Sequence, residues 1–62
     1  MAEEDSVIFE FTRVGAFSKV TAIHMRTGTE AMVMGPAASS RSALQGLALR
    51  KLEYVLNRRE QR

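Results

Sequence analysis

The side chain best suited to acid–base chemistry is His24, the only histidine in a chain without cysteine. A catalytic histidine needs a nucleophile within reach and an acidic group that orients its ring. The sequence has no acidic residue at a spacing that would orient His24, and no cysteine to serve as a nucleophile or a thiolate metal ligand. We therefore predict a partly buried, hydrogen-bonded His24 near Thr29, and a chain without catalytic residues, metal ions or cofactors.

Two other patterns could support chemistry. Glu10 and Glu30 could act as paired carboxylates, but they fall on the two outer strands of the sheet predicted below, and 62 residues offer little depth for a pocket. Residues 35–40 lead into a predicted helix, whose free N–H groups could hold a phosphate. Because this loop lacks the lysine and glycine spacing of a phosphate-binding loop, we favour helix capping by Ser39 or Ser40.

Basic residues are concentrated at the C-terminal end. Residues 1–40 hold three basic and five acidic side chains, whereas residues 41–62 hold six basic and two acidic ones. A contact with nucleic acid would use Arg50, Arg58, Arg59 and Arg62. Only one aromatic residue lies nearby, and a protein that binds single strands needs several stacking platforms. We therefore favour a solvated helix face and keep nucleic-acid binding as the alternative.

The N-terminal half of the chain predicts three strands. Residues 7–14 are rich in β-branched and aromatic side chains, and Gly15-Ala16 suits a two-residue hairpin turn with glycine first. A second turn ends at Gly28, in the left-handed region of backbone conformation. Both turns pair the strands so that the same residues share one face of an antiparallel meander. That face carries Phe9, Phe11, Val20, Ala22, Ala31 and Val33.

A helix follows from Arg41 to about Arg58, where the apolar residues recur with helical period. Gly35-Pro36 ends the third strand, since proline cannot donate to a sheet ladder. The apolar stripe of the helix consists of Leu44, Ala48, Leu52 and Val55, widened by Leu47 and Leu56. The predicted fold class is α+β, a β-β-β-α domain in which the helix packs on one face of the sheet.

The second face of the sheet mixes seven apolar side chains with five charged or hydroxyl ones. One helix cannot cover both faces, and an exposed apolar patch usually marks an interaction surface. Methionine adapts its shape and suits such a surface. The predicted interface residues are Ile8, Phe17, Ile23, Met25, Met32 and Met34.

Length and composition predict one domain over residues 1–62, with an ordered core at about residues 7–58. A chain this short buries a thin core, and self-association is one way to compensate. No apolar run approaches the roughly 20 residues that span a bilayer. The acidic N-terminus does not resemble a secretory signal. We therefore expect a cytoplasmic protein without a membrane partner.

Four segments, residues 9–15, 19–23, 27–30 and 49–56, resemble a family of short, uncharacterised bacterial proteins. The stretch Leu-Arg-Lys-Leu-Glu-Tyr-Val-Leu at residues 49–56 is the most specific part of the resemblance. Some members carry the name serine hydroxymethyltransferase, but a pyridoxal-phosphate enzyme needs a large fold with a Schiff-base lysine in a deep pocket. The resemblance implies a small domain and supplies no activity.

The sequence favours an interaction or structural module that forms a homo-oligomer or binds another protein. A nucleic-acid-associated accessory protein is the alternative. An enzyme would require a site assembled across subunits.

Overall fold

The chain forms one antiparallel sheet followed by one helix. The structure, a computed structural model, describes residues 6–60, with side chains up to residue 58. The strands are β1 (Val7–Val14), β2 (Phe17–His24) and β3 (Glu30–Pro36), in the spatial order β1-β2-β3, and the helix is α1 (Arg41–Glu60). The α+β prediction is confirmed.

Two glycines set the register of the sheet. Gly15 has φ of 60° and Gly28 has φ of 72°, a conformation that strains other residues. The first turn pairs Val14 with Phe17, and the second hairpin pairs Ala22 with Ala31. The predicted register is therefore confirmed for both hairpins, and alternate residues face α1 along all three strands.

The core lies between α1 and two of the strands. Six apolar side chains are buried there, and α1 makes most of its contacts with β3 and β2. The side chains of β1 on this face are only partly buried, because the helix axis is displaced away from β1. The buried residues are Val20, Ala22, Ala31, Leu44, Ala48 and Leu52.

The approach of the helix to β3 depends on Gly35. A Cβ atom at this position would lie 2.7 Å from Cδ2 of Leu44, a buried core residue. Pro36 pairs with Phe17 of the central strand β2 without interrupting the sheet. This is possible because Pro36 is the last residue of β3, which is an edge strand.

The helix begins with a serine cap, as predicted. The Oγ of Ser40 accepts a hydrogen bond from the Ala43 amide at 3.1 Å, while the Ser39 amide donates to the Pro36 carbonyl at 2.9 Å. The prediction that Leu47 widens the apolar stripe is wrong, because its side chain is 51% exposed. It lies roughly 100° around the helix from the centre of the buried line.

Candidate functional site

The face of the sheet opposite α1, here called the outer face, has no element of the described chain against it. The strand register arranges its side chains in four rows across the sheet. Both end rows are largely apolar, and the two middle rows combine methionines on β3 with polar side chains on β1 and β2. The rows are Ile8–Ile23–Glu30, Glu10–Thr21–Met32, Thr12–Lys19–Met34 and Val14–Phe17–Pro36.

The structure places the six predicted interface residues on or beside this face. Four of them, Ile8, Phe17, Met32 and Met34, are 45–51% exposed, whereas Ile23 is partly covered. Met25 follows β2 in the turn, where its amide donates to the Ser6 carbonyl at 3.0 Å, and its side chain is half exposed. Val14, which belongs to the same surface, is also half exposed.

Charges on the outer face are few and separated by sign. Glu10 stands in one middle row, Lys19 in the other, and Glu30 at the end of the Ile8–Ile23 row. Within the sheet, Glu10 and Lys19 are diagonal rather than direct neighbours. The face therefore has an acidic half and a basic half, related by the midline between the two middle rows.

The free edge of β3 is covered by a lysine from the helix. The Nζ of Lys51 donates to the Met32 carbonyl at 2.9 Å, on the side of β3 away from β2. A charged side chain on an edge strand discourages pairing with another strand. This contact favours the outer face over the β3 edge as a place of association.

His24 lies in a hydrogen-bonded cluster at the β2–β3 turn, as predicted. Its side chain is 7% exposed, and Nδ1 lies 2.8 Å from the Oγ1 of Thr27. The Thr27 hydroxyl donates to Oγ1 of Thr29 at 2.7 Å and accepts from the Thr29 amide at 3.2 Å. The Thr27 hydroxyl therefore links the His24 ring to Thr29.

A cavity of about 410 Å³ adjoins this cluster between the turn and the helix, and its lining includes Arg26, Glu53 and Asn57. Among residues 6–58, no group of three or more histidine, aspartate or glutamate side chains could hold a metal ion. The threonine hydroxyls of this cluster stabilise the turn by hydrogen bonds. A structural role in the turn is therefore sufficient to account for the burial of His24.

The predicted nucleic-acid residues are only partly described. Arg50 and Arg58 are exposed on α1. Arg58 donates from Nη1 to the Tyr54 hydroxyl at 2.9 Å, with its guanidinium 5.6 Å from the ring centroid. Arg62 and the side chain of Arg59 lie outside the described residues. Nucleic-acid binding therefore stays a prediction.

A second cavity, of about 300 Å³, was missed by the sequence reasoning. We call it the corner cavity, because it lies where the C-terminal half of β1, the start of β2 and the first turn of α1 meet. The sequence feature that could have indicated it is the register of the first hairpin, which pairs Arg13 with Ser18 on the helix side of the sheet. Its lining includes Phe11, Arg13, Ser18, Ser39, Arg41 and Leu44.

Two basic side chains in the corner cavity are held in place by other groups. The guanidinium of Arg41 lies 3.9 Å from the centroid of the Phe11 ring, and the Nε of Arg13 donates to the Gly15 carbonyl at 2.7 Å.

Among the described residues, no helix has the length and apolar character needed to cross a bilayer.

Comparison with known proteins gives a family and no activity. Residues 4–59 match a family model described as a domain of unknown function (DUF6898). No curated protein matches the chain. No solved structure matches it either.

Proposed function

The chain belongs to this family of domains of unknown function, and we propose that it is an interaction module that pairs with a second copy of itself through the outer face of the sheet. The observation that carries this proposal is the exposure of the outer face. Phe17, Met32 and Met34 are each about half exposed there, and no described element covers them. Burial of such side chains is the main favourable term in protein association.

The register supports a particular two-fold arrangement. A two-fold axis that runs across the strands, between the two middle rows, places each row over the opposite row of the second copy. Ile23 then lies over Phe17 of the second copy, and Met32 lies over Met34. The strands of two packed sheets are rotated by about 30° relative to each other. Residues nearest the two-fold axis therefore remain most closely opposed, and residues far from it are displaced sideways. Apolar side chains therefore meet apolar side chains at both ends of β1 and β2 and in the middle of β3, while Glu30 lies over Pro36 of the second copy at the edge of the sheet.

Charge complementarity selects this axis over the alternative one. With the axis across the strands, Lys19 lies over Thr21 of the second copy and beside its Glu10, and the symmetry creates this pair twice. With the axis along β2, Lys19 would lie over Lys19 of the second copy, and like charges in contact are unfavourable. The first arrangement pairs the acidic half of one face with the basic half of the other.

The size of the face sets the expected affinity. Eight residues at about 3.3 Å each and three strands at about 4.8 Å give a face of roughly 26 by 14 Å, or about 370 Å² in projection. A standard interface buries about 800 Å² per partner. We therefore expect a reversible dimer whose population changes with protein concentration, rather than an obligate one.

The first test is native mass by sedimentation equilibrium over a wide range of protein concentration, in low and high salt. We expect a monomer–dimer equilibrium that persists in salt, because apolar burial dominates it. Met32→Glu should shift the protein to monomer. Leu47→Glu is the matched control, since Leu47 is equally apolar and half exposed but lies on α1. It should leave the equilibrium unchanged.

The geometry of the dimer has its own test in a pair of charge reversals. Lys19→Glu leaves acidic side chains at positions 10 and 19, and Glu10→Lys leaves basic ones at both. Each variant should be monomeric alone, and an equimolar mixture should form a heterodimer in which every close pair is opposite in charge. A monomeric wild type at all concentrations would reject the proposal. Variants that dimerise as well alone as when mixed would reject this axis.

A further inference from the structure

The corner cavity concentrates positive charge without an acidic partner. Arg13 and Arg41 both line it, and no carboxylate is among the residues that do. The first turn of α1 contains no acidic residue either. The N-terminal end of a helix carries a partial positive charge, which favours anions and disfavours cations. Arg41, as the first residue of α1, therefore stands at the end of the helix where a cation is unfavourable.

The two guanidinium groups line the same cavity, and each has one contact that restrains it. The cation–π contact with Phe11 restrains the position of the Arg41 guanidinium. The bond to the Gly15 carbonyl uses only the Nε of Arg13, so both terminal amino groups of Arg13 can donate to another acceptor. Ser18 and Ser39, which are partly buried in the same lining, add two hydroxyl groups.

The geometry points to the corner cavity as a binding site for a small molecule that carries a phosphate monoester. A phosphate monoester has a charge of about −1.5 to −2 and three strong acceptor oxygens. Arginine pairs recognise such oxygens through parallel N–H donors. A carboxylate offers one charge and two oxygens, which uses fewer of the donors present.

The rest of the cavity limits the size and character of the ligand. Its volume of about 300 Å³ is at the lower end of the range for small-molecule sites, about 300–1,000 Å³. Phe11 and Leu44 form an apolar wall beside the arginines. The ligand is therefore a small phosphate ester with an apolar or planar portion that packs on this wall.

The position of the cavity distinguishes it from a nucleic-acid track. Arg58 lies 17 residues along α1 from Arg41, or about 25 Å at 1.5 Å per residue. Its guanidinium contacts Tyr54 rather than the cavity. The positive charges of the cavity thus form a local cluster and not a continuous strip along the helix.

The test is a titration of the full chain with inorganic phosphate and then with phenyl phosphate, followed by the amide resonances in ¹H–¹⁵N spectra. We expect saturable shifts confined to residues around Ser18, Ser39 and Arg41, with phenyl phosphate binding more tightly than phosphate. Sodium chloride at matched ionic strength should not reproduce them. Shifts that are absent, do not saturate or also appear with sodium chloride would overturn the proposal.

Variants assign the binding to the two arginines. Arg13→Gln and Arg41→Gln should each weaken phenyl phosphate binding about tenfold or more, since each removes charge-assisted hydrogen bonds. Arg50→Gln, an exposed arginine of α1 outside the cavity, is the matched control and should bind like the wild type. Arg13→Lys and Arg41→Lys keep the charge, so they test the site even if a glutamine variant unfolds. Equal binding by all variants would overturn the assignment.

Two further ligands distinguish phosphate monoesters from carboxylates and from nucleic acid. Benzoate should bind more weakly than phenyl phosphate, and an oligonucleotide without terminal phosphates should not shift the cavity resonances. Tighter binding of benzoate, or equal binding of the oligonucleotide through the same residues, would overturn the phosphate monoester as the ligand. The Met32→Glu variant should bind phenyl phosphate normally, so failure of the dimer and failure of this site are distinguishable.

Discussion

The position of Gly46 in α1 does not require a glycine. Its φ is not positive, and an added Cβ atom would meet nothing within 4 Å. Glycine in a helix interior costs about 1 kcal/mol relative to alanine. Gly46→Ala should therefore raise the free energy of unfolding by roughly 0.5–1 kcal/mol, measured by urea denaturation at one protein concentration.

Gly35 is the contrasting position for the same substitution. Its Cβ atom would come within 2.7 Å of the buried Leu44 side chain, and overpacking of a core usually costs about 1–3 kcal/mol. Gly35→Ala should therefore destabilise the protein in the same experiment. Equal effects of the two substitutions would mean that the close approach of helix and sheet is not as the structure shows it.

At the scale of elements, the β2–β3 turn is held by side chains as well as by its backbone. The Thr27 hydroxyl is hydrogen-bonded to the buried His24 and accepts from the Thr29 amide. Thr27→Val keeps the shape of the side chain but removes the oxygen, so buried polar groups lose a partner at a cost of about 1–3 kcal/mol. Thr12→Val, an exposed β1 position on the outer face, is the control and should change the stability little at a dilution that keeps the chain monomeric. Urea denaturation of both variants checks this.

The elements and their register could be predicted because short-range signals determine them. Glycine at position 15 and at position 28 sets both hairpins, and Ser40 sets the start of the helix. The lateral placement of α1 over β2 and β3 could not be predicted, because the helical period shows which face is apolar but not which strands it covers. That displacement is why the sequence did not indicate the corner cavity.

The outer face was predictable for a related reason. The alternation of residues that assigned one face to the core also assigned Ile8, Met32 and Met34 to the other. The diagonal relation between Glu10 and Lys19 follows from the register of the β1–β2 hairpin, which the first turn already predicts. The proposed ligand site depends on the long-range contact between Phe11 of β1 and Arg41 at the start of α1, which brings Arg13 and Arg41 to one cavity and which no local pattern in the sequence encodes.

For the whole molecule, the two proposed surfaces are on opposite sides of the sheet. The outer face would bind a second copy, and the corner cavity lies on the helix side beside the exposed part of β1. Two copies joined through their outer faces would therefore carry two cavities that face away from each other. Pairing and ligand binding are compatible in this arrangement.

If the proposed pairing occurs, the small core predicts that it contributes to the stability of the whole molecule. Six apolar side chains are buried among residues 6–58, and a chain of about 60 residues buries only about 60% of the surface that it exposes when unfolded. Because dimerisation stabilises the folded state by mass action, the thermal midpoint should rise with protein concentration. We expect about 3–5 °C per tenfold increase once the dimer predominates.

Calorimetry over a hundredfold range of concentration checks this. Met32→Glu should give a midpoint that is independent of concentration and close to the wild-type value at high dilution, because the substituted side chain is exposed in the monomer. Leu47→Glu should keep the concentration dependence of the wild type. A constant midpoint for the wild type would mean that the folded chain is stable as a monomer, and that burial of the outer face contributes nothing to its stability.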